Sequence, residues 1–160
     1  MTTAASMRIL VDADACPVKD EIYRVAERHK APVSVVSNSP FRVPVGPLVE
    51  RVVVSGEFDA ADDWIAERVA LRQAQDKRTV VVTADILLAD RCLKAGATVL
   101  APTGKPFTVA SIGGAVATRA IMADLRAGAD GLMGGPKPFA KSDRSRFLQA
   151  LDAALVRLMA

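Results

Sequence analysis

Arg8-Ile9-Leu10-Val11-Asp12-Ala13-Asp14-Ala15-Cys16-Pro17 is the stretch of this sequence that decides the fold. Its first four residues form a short, mainly apolar run, which predicts a buried strand. Pro17 suits the first turn of a helix, because the N–H that proline lacks would have no partner there. The helix is predicted to continue to about His29. A strand, a turn with two aspartates and a helix in this order form the first unit of an α/β sheet.

The same alternation of strands and helices continues along the chain. Further strands are predicted at 33–36, 51–54, 79–83 and 97–100, and helices at 59–75 and 85–94. Gly96 is predicted to end the second of these helices as a C-cap. This alternation favours a three-layer α/β fold, with a mainly parallel sheet of about five strands flanked by helices.

The last third of the chain has a different pattern. Helices are predicted at 109–127 and 142–159, with a Gly- and Pro-rich loop between them and Ser142 as the N-cap of the second. Because 160 residues suit one domain, we expect residues 7–160 to form a single domain after a disordered extension at 1–6. The C-terminal helices either wrap the sheet or pair with a second copy, which would give a homo-oligomer.

The composition limits the class of protein. Hydrophobic residues make up 51% of the chain and aromatic residues only 4%, which suits helices packed on a parallel sheet. No apolar run reaches the roughly 18 residues of a membrane span, and the N-terminus lacks the pattern of a signal peptide. The cysteines, Cys16 and Cys92, form no CxxC pair. We therefore expect a cytoplasmic protein with no membrane partner.

Aspartates occur where three of the predicted strands end. Asp12 and Asp14 follow the first strand, Asp59 and Asp62 follow the third, and Asp85 follows the fourth. Because ligands of open α/β sheets bind outside the carboxyl ends of the strands, we expect these side chains to meet at one edge. Clustered carboxylates repel one another unless a cation neutralises them, and hard oxygen ligands favour Mg²⁺ or Mn²⁺. Such an ion can bind a phosphodiester, activate water and stabilise the leaving oxygen.

Some of these aspartates also have a structural interpretation. Asp59 and Asp85 each stand at the start of a predicted helix, where a side chain can accept hydrogen bonds as an N-cap. Asp12 and Asp14 are less easily explained in this way, since both crowd one turn directly after a buried strand. The predicted metal ligands are Asp12, Asp14, Asp59, Asp62 and Asp85, and all of them except Asp59 are predicted to be catalytic.

Polar and basic residues near this edge are candidates for contacts to nucleic acid. They are Asn38 and Arg42 after the second strand, and Arg119, Arg126, Lys137 and Arg144 in the C-terminal third. The net charge of +3 does not by itself indicate nucleic-acid binding, but it permits a local basic patch that attracts a polyanion. Asn38 and Arg42 equally suit a turn, and a solvated helix end is the favoured interpretation of the other four residues.

Five motifs follow one another along the chain: Asp12-Ala13-Asp14-Ala15-Cys16-Pro17, Phe58-Asp59-Ala60-Ala61-Asp62, Val82-Thr83-Ala84-Asp85-Ile86, Gly134-Gly135-Pro136 and Asp143-Arg144. In this combination they resemble the YaiI/YqxD family of bacterial proteins over nearly the whole chain. The resemblance implies a PIN-like fold, related to the nuclease domains of toxin ribonucleases and flap endonucleases. It also implies that Asp12, Asp59 or Asp62, and Asp85 correspond to the acids of those nucleases. Asp14 is the additional acid of the family's own motif.

Three functions are open at this point. The first is a metal-dependent phosphodiesterase that acts on RNA or DNA. The second is a phosphatase of the haloacid dehalogenase type, in which a strand ending in Asp-x-Asp supplies a nucleophile and an acid. Cys16 at the fifth motif position and the lack of a lysine segment disagree with it. The third is a non-catalytic nucleic-acid-binding or assembly module whose carboxylates hold a structural ion. His29, the single histidine, is not expected to act as a general base.

Overall fold

The structure of the chain, a computed structural model, describes residues 7–14, 16–39, 41–44, 46–57, 59–114, 116–118 and 139–159. The predicted extension at 1–6, most of the predicted loop at 128–141, and Arg119, Arg126 and Lys137 lie outside the described residues. No helix within the described ranges is long and apolar enough to cross a membrane.

Strands and helices alternate as predicted through the first hundred residues. The elements are β1 (Met7–Asp12), α1 (Lys19–His29), β2 (Val33–Ser37), β3 (Val49–Val53), α2 (Ala60–Ala74), β4 (Arg78–Val82), α3 (Ile86–Lys94), β5 (Thr98–Leu100), β6 (Pro106–Phe107), α4 (residues 109–114 and 116–118) and α5 (Lys141–Met159). The strands form one sheet in the order β3-β2-β1-β4-β5-β6. All neighbours are parallel except β5 and β6. The three-layer, PIN-like α/β fold is confirmed.

Two details of the sheet differ from the prediction. The sheet has six strands rather than about five, because β6 pairs antiparallel with β5 through only two residues. So short a strand, beginning with Pro106, has no hydrophobic periodicity that would indicate it. The third strand also begins two residues earlier than predicted, at Val49, since Glu50 interrupts the apolar run without ending the strand.

Alternate residues of the inner strands face two separate apolar layers. Ile9 and Val11 of β1 belong to a core with α1 and α5, whereas Leu10 belongs to a core with α2 and α3. Burial on both faces explains why the inner strands consist of nearly continuous aliphatic residues. The helices therefore cover both faces and leave the carboxyl ends of the strands uncovered.

Helices α1 and α5 lie side by side and run in the same direction. Arg144, near the start of α5, is 3.3 Å from Glu21 near the start of α1. Near the other end, Asp152 of α5 is 2.7 Å from His29, the last residue of α1. Since α1 connects parallel strands, its first turn lies at the carboxyl edge of the sheet. The first turn of α5 therefore lies at that edge as well.

The predicted helix ends are correct in part. Gly96 has a φ of +98°, and the N–H groups of Gly96 and Ala97 donate to Leu93 and Cys92, both at 3.0 Å, which confirms the glycine C-cap. The prediction for Ser142 is wrong, because α5 begins at Lys141 and Asp143 accepts a hydrogen bond from the Ala140 N–H at 2.9 Å. An acid at this position of the first turn closes the helix end without a capping hydroxyl.

Candidate functional site

A pocket of about 440 Å³ lies where β1 and β4 end and where α2 and α3 begin. Its acidic and amide lining consists of Asp12, Asp14, Asp59, Asp62 and Asp85 together with Asn38 and Glu57. The structure thus brings the five predicted aspartates together, although they come from three separate parts of the sequence. Parallel pairing of β1 with β2 and β4 produces this convergence, because it places the ends of these strands at one edge.

Thr83 holds two of the aspartates in place. Its hydroxyl donates to Oδ2 of Asp12 at 2.8 Å and accepts from the N–H of Asp85 at 3.0 Å. Thr83 is buried and directly follows β4, the strand that pairs with β1. The side chain therefore couples the end of β1 to the start of α3. A hydroxyl residue after an aliphatic strand is the only sequence signal for this role.

Asp14 has a similar partner on the other neighbouring strand. Its Oδ1 accepts a hydrogen bond from the Ser37 hydroxyl at 2.9 Å. Ser37 is the last residue of β2 and is buried, whereas Asp14 is exposed. Asp12 and Asp14 are thus each fixed by a hydroxyl from a strand adjacent to β1. The contact depends on the register between strands, so spacing along the chain does not indicate Ser37.

The two capping interpretations have different outcomes. Asp85 caps α3, because its Oδ1 accepts from the N–H groups of Leu87 at 2.9 Å and Leu88 at 3.2 Å. Asp85 nevertheless lines the pocket, and both bonds use the same oxygen. Asp59 precedes α2 with a φ of +67° and its side chain makes no capping bond, so that interpretation is wrong. An aspartate tolerates this left-handed conformation better than most residues do.

Partial burial and the negative charge of the pocket raise the pKa of Asp62 and Asp12. Burial raises the pKa of Asp62, and the charges of Asp85 and Asp12, a hydrogen bond with Asp85 and the charge of Asp59 bring it to about 6. Burial also raises the pKa of Asp12 and is the largest effect there, opposed by the hydrogen bond from Thr83. The charges of Asp14 and Asp85 add to the increase. Among the described lining residues there is no lysine or arginine to offset these charges.

The carboxylates of the pocket are suitable ligands for a hard divalent cation, but their side chains do not point to a common position. Carboxylate oxygens from separate strand ends are the ligands that Mg²⁺ and Mn²⁺ prefer. Within the described ranges, however, no three acidic, histidine or cysteine side chains lie close enough to share an ion. Asp12, Asp14 and Asp85 instead accept hydrogen bonds from the protein. A bound ion would therefore require some of these side chains to rotate.

The remaining candidates are placed unevenly. Asn38 lines the pocket, while Arg42 is exposed in the loop after β2 and is not among the described lining residues. Arg144 lies in the first turn of α5 and contacts Pro17 and Glu21. Glu57 is an acidic lining residue that the sequence patterns do not indicate, although it stands two residues before Asp59.

The cysteines have no visible chemical role. Cys92 is buried in α3, and burial raises the pKa of its thiol to about 12. Cys16 is partly buried beside the first core, and burial is again the main cause of its raised pKa. Both thiols are thus held protonated and poorly nucleophilic.

Comparison with known proteins finds close relatives along nearly the whole chain. A family model described as "Uncharacterized BCR, YaiI/YqxD family" matches residues 10–157. The chain is 73% identical over 150 residues to a UPF0178 protein of Sphingopyxis alaskensis, which covers 94% of both chains. It is 60% identical over 158 residues to a UPF0178 protein of Rhodopseudomonas palustris, covering 99% of this chain and 92% of that protein. No solved structure matches the chain.

Proposed function

Since the chain belongs to the YaiI/YqxD family, whose description names no reaction, we propose from the site that it is a divalent-metal-dependent phosphodiesterase acting on RNA or DNA. One observation carries the proposal: six carboxylates from three strand ends line a single pocket, with no basic side chain in its described lining. An acidic pocket of this kind recruits a cation first and a phosphate group through that cation.

The residues that would hold Mg²⁺ or Mn²⁺ are Asp12, Asp14, Asp62 and Asp85, with Asp59 as a further ligand. When bound, such an ion polarises a phosphodiester oxygen and makes water a better nucleophile. Thr83 and Ser37 hold Asp12 and Asp14 at the pocket, each through one carboxylate oxygen, and a rotation of the side chain would turn the carboxylate toward an ion. A supporting hydrogen bond of this type lowers the cost of assembling the site.

The surroundings of the carboxylates also suit a phosphate group. Helices α2 and α3 begin at the pocket, so the positive ends of their dipoles favour an anion there. Ala60, Ala61 and Ala84 are small lining residues that leave space beside the carboxylates. The side chain of Asn38 can donate a hydrogen bond to a non-bridging phosphate oxygen.

The phosphatase alternative receives less support from the same pocket. That reaction uses a lysine to hold the phosphoryl group beside the nucleophilic aspartate, and the described lining contains none. Trapping of fluoroberyllate on Asp12, or metal-dependent hydrolysis of p-nitrophenyl phosphate that exceeds nucleic-acid cleavage, would favour the phosphatase.

The first experiment measures cleavage of labelled single-stranded and double-stranded RNA and DNA in Mn²⁺, Mg²⁺ or EDTA. We expect metal-dependent products from at least one substrate and none in EDTA. Asp62→Asn should lower the rate by more than about 100-fold, since losing even a supporting residue of a metal site costs 10- to 100-fold. Asp63→Asn is the matched control, because Asp63 is exposed and pairs with Arg91 at 2.9 Å instead of lining the pocket.

Two results would contradict the proposal. One is equal activity of Asp62→Asn and Asp63→Asn, which would separate the cleavage from the acidic pocket. The other is no turnover in any metal, and retained nucleic-acid binding would then support the non-catalytic module.

A cytoplasmic location and a homo-oligomer formed through the C-terminal helices remain predictions. Light scattering during size-exclusion chromatography measures the oligomeric state.

A further inference from the structure

Two partly exposed phenylalanines that pack against the core of α1 and α5 each carry a basic side chain over the ring. The Lys19 Nζ atom is 5.7 Å from the ring centroid of Phe41, and the guanidinium carbon of Arg144 is 5.1 Å from that of Phe139. Both rings rest on the core that α1 and α5 share, but neither is fully buried. Each pair thus offers an aromatic surface and a positive charge at one place.

Both pairs are connected to the walls of the acidic pocket. Lys19 is the first residue of α1, five residues after Asp14, and Phe41 follows the pocket residue Asn38 by three. The Arg144 Nη1 group donates to the carbonyl oxygen of Pro17, in the turn between Asp14 and α1. The two pairs therefore flank this turn at the carboxyl edge of the sheet.

A cleft of about 290 Å³ between α1 and α5 continues from the Arg144 pair. It is lined by Glu21, Arg24, Arg144, Ser145, Leu148 and Gln149. Arg24 is exposed, and the side chain of Arg144 is 45% exposed even though it contacts Pro17 and Glu21. Beside the Arg144–Glu21 pair, the cleft thus adds a second arginine, which no acid of the described lining offsets, and two neutral polar side chains.

The negative charge of the pocket means that a nucleic acid would need a second, positively charged surface to bind. Six carboxylates repel the phosphate backbone of a nucleic acid, so most of the binding energy must come from another surface. Lys19, Arg24 and Arg144 supply positive charge, and the two phenylalanines supply ring faces. Unpaired bases stack on aromatic rings regardless of sequence, whereas the bases of a duplex are already stacked on one another.

We propose that the two cation–aromatic pairs and the α1–α5 cleft bind single-stranded nucleic acid and lead it to the acidic pocket. The binding surface follows from its own contacts, and only the fate of the strand rests on the proposed function. Lys19 and Arg144 move off the rings that they cover when the strand binds. Phe41 and Phe139 then stack on bases, while Lys19, Arg24 and Arg144 contact the backbone phosphates.

The test measures binding of metal-free protein in EDTA, so that turnover does not interfere. Fluorescence anisotropy follows labelled oligouridine, oligothymidine and a duplex, each of about twelve nucleotides or base pairs, at several salt concentrations. We expect the single strands to bind at least about tenfold more tightly than the duplex. Oligouridine and oligothymidine separate an RNA preference from a general preference for single strands.

Two variants separate stacking from charge. Phe139→Leu should weaken binding about tenfold at every salt concentration without changing the salt dependence. Arg144→Gln should reduce the slope of log K against log salt by about 0.7, the value for one lost contact to a single strand. Arg157→Gln, in the last turn of the same helix, is the matched control and should change neither quantity. Phe139→Trp should retain binding, because it keeps an aromatic face.

Equal affinity for duplex and single strand would overturn the proposal, as would Phe139→Leu and Arg144→Gln variants that bind like Arg157→Gln. Thermal unfolding checks each variant, and Phe41→Leu provides a second test of stacking if Phe139→Leu does not fold. Binding that depends on these residues without cleavage in Mn²⁺ supports this surface and contradicts the proposed nuclease. Cleavage with unchanged binding of the variants contradicts this surface and leaves the nuclease in place.

Discussion

Thr83 supports two aspartates of the pocket but is not among its described lining residues. It bonds Asp12 and Asp85 with one hydroxyl, and its burial excludes water as a substitute partner. Residues of this kind contribute to the affinity of a metal site without touching the ion. The free energy of unfolding and the activity should therefore both depend on it.

Thr83→Val should lower the free energy of unfolding by about 1–2 kcal/mol, since it removes one bond to the partly buried Asp12 carboxylate and one to the Asp85 N–H. It should also lower metal-dependent cleavage by about 10- to 100-fold. Urea unfolding and the cleavage assay measure the two effects. Thr79→Val is the control, because Thr79 is a buried threonine at the opposite end of β4, where its hydroxyl bonds Arg72 at 2.8 Å. If both variants retain full cleavage, Thr83 does not position the site.

Asp62 should make the metal-free protein sensitive to pH. Its pKa is raised from 3.8 to about 6, so the folded state binds this proton more tightly than the unfolded state does. The stabilisation is present below the unfolded value and is lost as the pH rises through about 6. Asp62→Asn should therefore unfold at a higher temperature than the wild type in EDTA above this pH, and the difference should disappear toward pH 4. Equal melting temperatures at neutral pH would show that the repulsion is absent.

At the scale of the elements, the sequence predicts the inner strands and two helix ends better than it predicts contacts between strands. The aliphatic strands β1, β2 and β4 are buried on both faces, so their composition alone predicts them. The cap by Asp85 and the end at Gly96 follow from side-chain type, because the chemistry of each end is local. Asp59 could not be predicted in this way, since its left-handed backbone conformation leaves the carboxylate unable to cap. The bonds from Ser37 and Thr83 depend on strand register, which no local pattern reports.

The loop between β5 and β6 contains a glycine that allows close approach to α5. Gly104 has a φ of +89°, and a Cβ there would lie 2.7 Å from the backbone carbonyl carbon of Arg146. Gly104→Ala should thus cost about 3 kcal/mol through backbone strain and overpacking. Gly113→Ala is the control in α4, where a Cβ meets nothing within 4 Å and alanine favours the helix. Urea unfolding should give opposite signs for the two variants, and equal effects would contradict the close approach.

At the scale of the whole molecule, the helices compensate for the acids. Helices α2 and α3 begin at the pocket, and the contacts of Arg144 place the starts of α1 and α5 beside it. Each helix start carries the equivalent of about half a positive charge. The fold therefore tolerates clustered carboxylates without a basic side chain in the described lining. The parallel direction of the strands produces this arrangement, so the location of the site was predictable while its exact partners were not.

The position of β1 inside the sheet determines when its two partner strands become available during translation. β1 pairs with β2, which follows within about thirty residues, and with β4, where Met7 pairs with Arg78. During translation one side of the first strand consequently stays without its partner until β4 has left the ribosome. Three strands, α1 and α2 are by then available, but Asp12 at the end of β1 and Thr83 directly after β4 cannot meet. The acidic pocket is thus a late product of folding, and a nascent chain carries no assembled site before that point.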